Sequence, residues 1–277
     1  MPAFAKRIVS KPEFGPFVLL LAMVIIFWEL NQAFLSLRNI SNTLAFTVEL
    51  GLIALAMTLL MTSGEFDLSV GSLFGFSPVL MWTLYNTGIA SIEISFAIAL
   101  ATALGIGLIS GLFVTRLKIP SFLVTLGMLL VVRGTALYVT NGFPQRTWNA
   151  KDLPLAQLLV GDFTVAGLRL YMSLLWFIAA AVLLSILLTR TKTGNWIQAS
   201  GGNANAARAR GVDVNRTKIK LFMLSAAMAG FAGVISSIRT AAANPNSGTG
   251  YELEVIAMVV IGGTALTGGR GTIIGTV

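Results

Sequence analysis

Long, predominantly apolar runs such as Phe17–Trp28, Leu50–Met61, Ile98–Val114 and Met172–Leu188 constrain this chain more than any other feature. With their mildly polar edges, most approach the ~20 residues that a helix needs to cross about 30 Å of hydrocarbon. A water-soluble fold of 277 residues would also need a charged coat, normally about a quarter of its residues. Only 11% of this chain is Asp, Glu, Lys or Arg, and 56% is hydrophobic. The expected fold class is therefore an all-α polytopic membrane protein, a single transmembrane domain over residues 1–277. The net charge of +8 reads as loop charge that sets topology, with no nucleic-acid partner implied.

Hydropathy marks eight segments, at about 16–37, 43–63, 68–86, 92–115, 119–140, 168–189, 218–238 and 253–267. The third, interrupted by Gly71, Gly75 and Pro78, is the candidate for a broken or re-entrant span. Placing the N-terminus in the cytoplasm puts 13 of the 19 Lys and Arg inside, counting Lys6, Arg7, Lys11, the 116–118 pair, seven between Arg190 and Lys220, and Arg270. The opposite long loop, 141–169, holds three basic residues against Asp152 and Asp162. That asymmetry predicts a cytoplasmic N-terminus. The first apolar run extends toward Leu37 with no small-residue cleavage motif after it, so it reads as a retained span. A last apolar run, Thr272–Val277, is too short to span, and further spans are expected after it.

Two stretches echo one another. Glu49-Leu leads through Ala56-Met57 to Gly71-Ser-Leu-Phe-Gly75, and Glu252-Leu leads through Ala257-Met258 to Gly271-Thr-Ile-Ile-Gly275. Both would run from outside to inside, as in a parallel transporter repeat.

The chain has no cysteine and no histidine. Thiol nucleophiles, disulfides, imidazole bases and the commonest metal ligands are thereby excluded, so neither an enzyme nor a resident cofactor is expected. Gly263-Thr-Ala-Leu-Thr-Gly268-Gly-Arg has the outline of a phosphate-binding loop, but Gly269 and Arg270 replace its lysine and hydroxyl. Energy must then come from a partner. Charges within spans are Glu29 near an outer end, and Glu49 and Arg133 deeper. The last two could pair with each other, line a polar cavity or touch solute, and they are the candidate pathway residues. Gly105, Gly107 and Gly111 form a small-residue face suited to close helix packing.

The strongest local feature lies in the basic loop 190–217. Asn203 or a neighbour can cap a short Ala- and Arg-rich helix, and Gly211 stands where its C-terminus wants a left-handed residue. Such a helix suits docking into a soluble partner's groove, or resting on anionic lipid.

Gly201-Gly202-Asn203-x-Asn205-Ala206-Ala207-Arg208-x-x-Gly211-Val-Asp-Val resembles the coupling-loop signature of bacterial sugar-type ABC importer permeases, the ribose, xylose, arabinose and galactose branch. The resemblance extends in order through Thr62-Ser-Gly-Glu-Phe-Asp-Leu-Ser-Val-Gly-Ser72, Ile119-Pro-Ser-Phe-Leu-Val-Thr-Leu-Gly-Met128, Arg133-Gly, Pro245–Leu253 and Ile261–Gly271. One position departs: where the family usually carries an acid ahead of the Ala-Ala pair, this chain has Asn205. The resemblance implies a permease in the bacterial inner membrane that dimerises and seats a coupling helix in cytoplasmic ATP-binding subunits. A periplasmic sugar-binding protein would deliver a monosaccharide or related polyol. An ion-coupled secondary transporter is the alternative, although Glu65 and Asp67 fall at a turn rather than at mid-span.

Overall fold

The computed structural model describes residues 14–147 and 150–277. The basic flank Lys6, Arg7 and Lys11 used in the topology argument lies outside the described residues. The helices are α1 (Phe14–Leu30), α2 (Leu37–Thr62), α3 (Val70–Asn86), α4 (Ile92–Arg116), α5 (Ser121–Thr140), α6 (Pro154–Val160), α7 (Met172–Arg190), α8 (Lys192–Gly202), α9 (Ala204–Ala209), α10 (Val214–Thr240), α11 (Tyr251–Ile261) and α12 (Ile273–Thr276). Short strands are β1 (Gln145–Arg146), β2 (Asp162–Val165), β3 (Leu168–Tyr171) and β4 (Ala242–Ala243).

Among the described residues, five helices (α2, α4, α5, α7 and α10) are long and apolar enough to cross a membrane. The other three expected segments come out shorter. Helix α1 has 17 residues, and α3 also has 17. The eighth segment, expected over 253–267, is an 11-residue helix followed by turns. The sixth starts four residues later than hydropathy suggests. Ala166 and Gly167 both take positive φ, 50° and 81°, and close a tight β2–β3 hairpin that claims Leu168–Tyr171. Polar caps set other boundaries: Ser36, Ser91, Thr191 and Asp213 each accept a backbone N–H of the first turn of α2, α4, α8 and α10.

The core is built on α2, α3 and α10. The C-terminal half of α2, Gly51–Thr62, is wholly buried, as is most of α3. Helix α3 runs unbroken through Pro78. The proline leaves the Phe74 carbonyl without its helical N–H partner. Gly233 of α10 lies directly against that carbonyl, and Gly230 lies against Ser77. Further toward the N-terminus of α10, on the same stripe, Gly107 and Gly111 of α4 meet Phe222, Met223 and Ile219. Lipid offers no hydrophobic drive to pair helices, so close backbone approach and dispersion hold this seam. Gly105, expected on the same small face, points into open space and takes no part. Trp82 of α3 adds a hydrogen bond from Nε1 to Ser237 Oγ of α10, 3.0 Å. By contrast α5 and α7 expose leucines and valines such as Leu130 and Leu183, as lipid-facing helices do.

A leucine at Gly233 would have to displace the α3 backbone, whereas one at Gly105 has room. Gly233→Leu is expected to destabilise the detergent-solubilised chain by about 3 kcal/mol or more, the upper range for overpacking. Gly105→Leu is expected to leave the thermal midpoint unchanged in the same assay.

Candidate functional site: an interrupted helix and a short capped helix

At the end of α10 the chain abandons helical geometry. Ala241 closes the helix in the left-handed region, φ 55°. Ala242–Ala243 then pair antiparallel with Gln145–Arg146. Residues 244–250 form turns with Gly248 and Gly250 at φ 75° and 89°, and only at Tyr251 does α11 begin. Eleven residues rise about 16 Å, half a membrane core. Irregular backbone at such depth survives only where protein satisfies its polar groups.

Arg133 of α5 supplies that satisfaction. Its Nη1 donates to the carbonyls of Pro245 (2.5 Å) and Ser247 (2.8 Å), and its Nη2 donates to the Gly71 carbonyl (3.1 Å). Gly71 and Gly75 of α3 permit this approach: Gly248 and Glu252 press on the first, and the Ser247 and Pro245 carbonyls press on the second. The Phe74 and Tyr251 rings pack edge to face alongside, 5.0 Å apart.

Glu49 does not pair with Arg133. Its Oε1 accepts from Nε of Arg239 on α10 at 2.7 Å, with the two side chains only 3% and 14% exposed. The Arg239 guanidinium also lies 4.2 Å from the centre of the Phe46 ring. The hydropathy segment 218–238 stops one residue short of Arg239, and nothing in the sequence near it points to its partner, 190 residues away. A basic residue in the last turn of a span was the available signal. Outside this pair a cavity of about 570 Å³ opens between α6, the β2–β3 hairpin and the end of α10, lined by Gln157, Asp162, Arg169, Tyr171 and Arg239 among others.

The short Ala- and Arg-rich helix expected after Asn203 forms as α9. Asn203, extended at φ −157°, ends α8 and caps α9, its Oδ1 accepting from Ala206 N–H at 3.0 Å. Gly211 follows at φ 83°, its N–H donating to the Arg208 carbonyl at 2.9 Å. Ala207 is buried, while Asn205, Ala206 and Arg208 are exposed; Arg208 donates to Asn205 Oδ1 at 3.2 Å.

Gly201 and Gly202 serve a different purpose from the helix itself. Gly201 lies against the Thr62 carbonyl, Gly268 lies against Gly64, and Gly269 lies against Gly202. Gly269 N–H donates to the Thr62 carbonyl at 2.8 Å. The α8–α9 junction, the turn after α2 and the turn after α11 thus meet backbone to backbone. The phosphate-loop look-alike is one wall of this junction, closed by the Ala265 N–H on the Arg270 carbonyl at 3.0 Å. Nearby, Glu65 Oε1 and Lys218 Nζ form a mostly buried pair at 2.6 Å that ties the first turn to α10. Asp67 in the same turn is fully buried. Its Oδ1 accepts from Ser69 N–H (2.8 Å) and Oγ–H (2.6 Å), yet burial pushes its carboxyl above the usual carboxylate range.

Removing one member of the Glu49–Arg239 pair strands a buried charge. Glu49→Gln is expected to destabilise by about 3–5 kcal/mol. Adding Arg239→Gln is expected to recover much of that loss, giving a clearly non-additive double-mutant cycle in detergent unfolding.

The family model described as "Branched-chain amino acid transport system / permease component" matches residues 39–277, from early α2 through α12. The ribose import permease protein RbsC of Escherichia coli strain K12 is 34% identical over 260 residues, covering 94% of this chain and 79% of the relative. RbsC of Bacillus subtilis strain 168 is 36% identical, covering 95% and 80%. The xylose/arabinose import permease protein XylH of Sulfolobus acidocaldarius is 33% identical, covering 97% and 75%. No solved structure matches the chain. With its membrane-length helices and a match over almost its whole length, the chain belongs to this permease-component family, the one that includes the sugar-type ABC importer permeases.

Proposed function

We propose that the chain is the membrane-spanning subunit of an ATP-driven importer, moving a monosaccharide such as a pentose, or a related polyol, into the cell. The carrying observation is the similarity, over most of its length, to permeases named for ribose, xylose and arabinose import. The chain is not an enzyme: in this family hydrolysis belongs to separate ATP-binding subunits, and a binding protein outside the membrane hands over the solute.

Helix α9, with Asn203, Asn205, Ala206, Ala207 and Arg208 around it and Gly211 behind it, is the docking element for the ATP-binding subunit. Its anchored Ala207 and exposed neighbours support that reading. The Gly201–Gly202 junction with Thr62–Gly64 and Gly268–Gly269 gives a path for force, because movement of α9 is passed to the ends of α2 and α11 through backbone contact. Two copies form the pathway within the lipid bilayer, with the N-terminus and loop 190–217 in the cytoplasm. The basic excess of that loop supports this orientation. The α2–α3 and α11–α12 segments act as counterparts, each with a Gly-x-x-x-Gly start pressed against neighbouring backbone or a hydroxyl.

The permease assembled with its ATP-binding subunit and binding protein in proteoliposomes is expected to take up ribose, xylose or arabinose only when ATP is supplied. Ala206→Trp, at an exposed position, is expected to cut that uptake at least about tenfold, as loss of an interface anchor does, with membrane abundance unchanged. Uptake that needs no ATP, or that ignores the substitution, contradicts the reading.

A further inference from the structure

The cavity beside the Glu49–Arg239 pair lies at the opposite end of α10 from α9. Helix α10 runs 27 residues, about 40 Å, from Val214 to Thr240, and Val214 follows α9 closely in the chain. At about 570 Å³ the cavity falls in the ~300–1,000 Å³ range of small-molecule sites. Gln157, Phe163, Tyr171, Arg239 and the Arg169–Asp162 pair all line this one space. The pair, 2.9 Å apart, stands at an open rim, its side chains 58% and 45% exposed. Arg239 is recessed, with its side chain 14% exposed.

Arg239 is held in place with most of its donors unspent. Its Nε donates to Glu49 Oε1 at 2.7 Å, and the Phe46 ring centre lies 4.2 Å from the guanidinium. The two Nη groups carry the remaining N–H donors. Among the described residues they make no hydrogen bond, and Nη2 is buried as well. The Gln157 amide and the Tyr171 hydroxyl also make none among the described residues. Each can donate and accept, as a sugar hydroxyl can. Phe163 adds an apolar ring to the same wall. Charge narrows the ligand class further. Each lining guanidinium already faces a carboxylate, Arg239 that of Glu49 and Arg169 that of Asp162, so little net attraction is left for an anion. Unspent donors and acceptors between balanced charges fit a neutral, hydroxyl-rich molecule.

We propose that the cavity is a sugar site: the Nη groups of Arg239 donate to solute hydroxyl oxygens, Gln157 and Tyr171 complete the hydrogen bonding, and Phe163 packs on the C–H face. Of the two charged residues singled out in the sequence, Glu49 then acts only by holding Arg239, and Arg133 is committed to backbone carbonyls. The assignment rests on the importer reading above, under which the cavity lies on the side where the binding protein delivers the solute.

The absence of cysteine makes the test direct, because each single-cysteine variant has one thiol. Met172 lines the cavity without a polar role, and Val165, 54% exposed on the hairpin, lies outside the lining. Met172→Cys and the control Val165→Cys would be assembled with the ATP-binding subunit in nanodiscs and exposed to a charged thiosulfonate. Ribose, xylose or arabinose is expected to slow labelling at 172 and leave 165 unchanged, with no binding protein present. Labelling at 172 that no sugar slows overturns the proposal. So does labelling that the sugar-free binding protein blocks while sugar does not, which makes the cavity a protein-docking surface. Saturation-transfer NMR on the cysteine-free assembly is the second arm and decides the matter where the thiol does not react. Transfer to the transported sugar is expected, with Tyr171→Phe raising the apparent Kd about fivefold, the loss of one neutral hydrogen bond. No transfer, or a Kd that ignores the substitution, overturns the proposal. ATP-dependent uptake by the unsubstituted assembly separates the two layers. Uptake without binding in the cavity overturns the cavity assignment alone; binding without uptake overturns the importer reading alone.

Discussion

The guanidinium of Arg133 gathers the carbonyls of Pro245, Ser247 and Gly71, and the broken stretch between α10 and α11 rests on that contact. Backbone that leaves a helix inside a low-dielectric interior loses its own hydrogen bonds, and water is not there to replace them. Arginine presents five N–H donors on a rigid plane, so one side chain can serve several carbonyls at once. Lysine's compact, flexible head could not span the same three positions. The contact also ties three elements together: α5, which carries the arginine, the first turn of α3, and the segment that launches α11. Without it the carbonyls of Pro245, Ser247 and Gly71 would lose these donors just where the chain turns into α11.

The other dependence is on glycine at helix contacts. Helix α10 touches α3 and α4 through Gly230, Gly233, Gly107 and Gly111, close enough that a methyl group would collide. The same device recurs beyond the long helices, where Gly64, Gly201, Gly202, Gly268 and Gly269 join the α8–α9 junction to two turns. A junction made of backbone has no side-chain rotamers to absorb displacement. Such a joint suits a protein whose energy arrives at one face and whose work is done some distance away.

Long-period features were legible in the residues, and pairings across the sequence were not. The apolar runs located α2, α4, α5, α7 and α10 closely, because crossing a bilayer leaves a signal in every residue of a span. The cap and C-terminus of α9 were readable too, since Asn203 and Gly211 act on their own neighbours. Hydropathy overextended the last segment, because Val255–Ile261 is apolar whether its helix spans the membrane or half of it. It also made Glu49 and Arg133 look like partners. Arginine bound to carbonyls leaves no charge pattern in the sequence, and Arg239, one residue past the apolar segment 218–238, lies 190 positions from the carboxylate it meets. Gly105 shows the limit of spacing: two residues from Gly107 on the α4–α10 seam, it meets nothing.

The central structural claim is that one arginine holds the broken span and the start of α3 as a unit. Amide hydrogen exchange in lipid nanodiscs, comparing the unsubstituted chain with Arg133→Met, tests it most directly. The account predicts faster exchange over 244–252 and 70–75 together, with α4 unchanged. Exchange that rises in neither segment, or in only one of them, would contradict it.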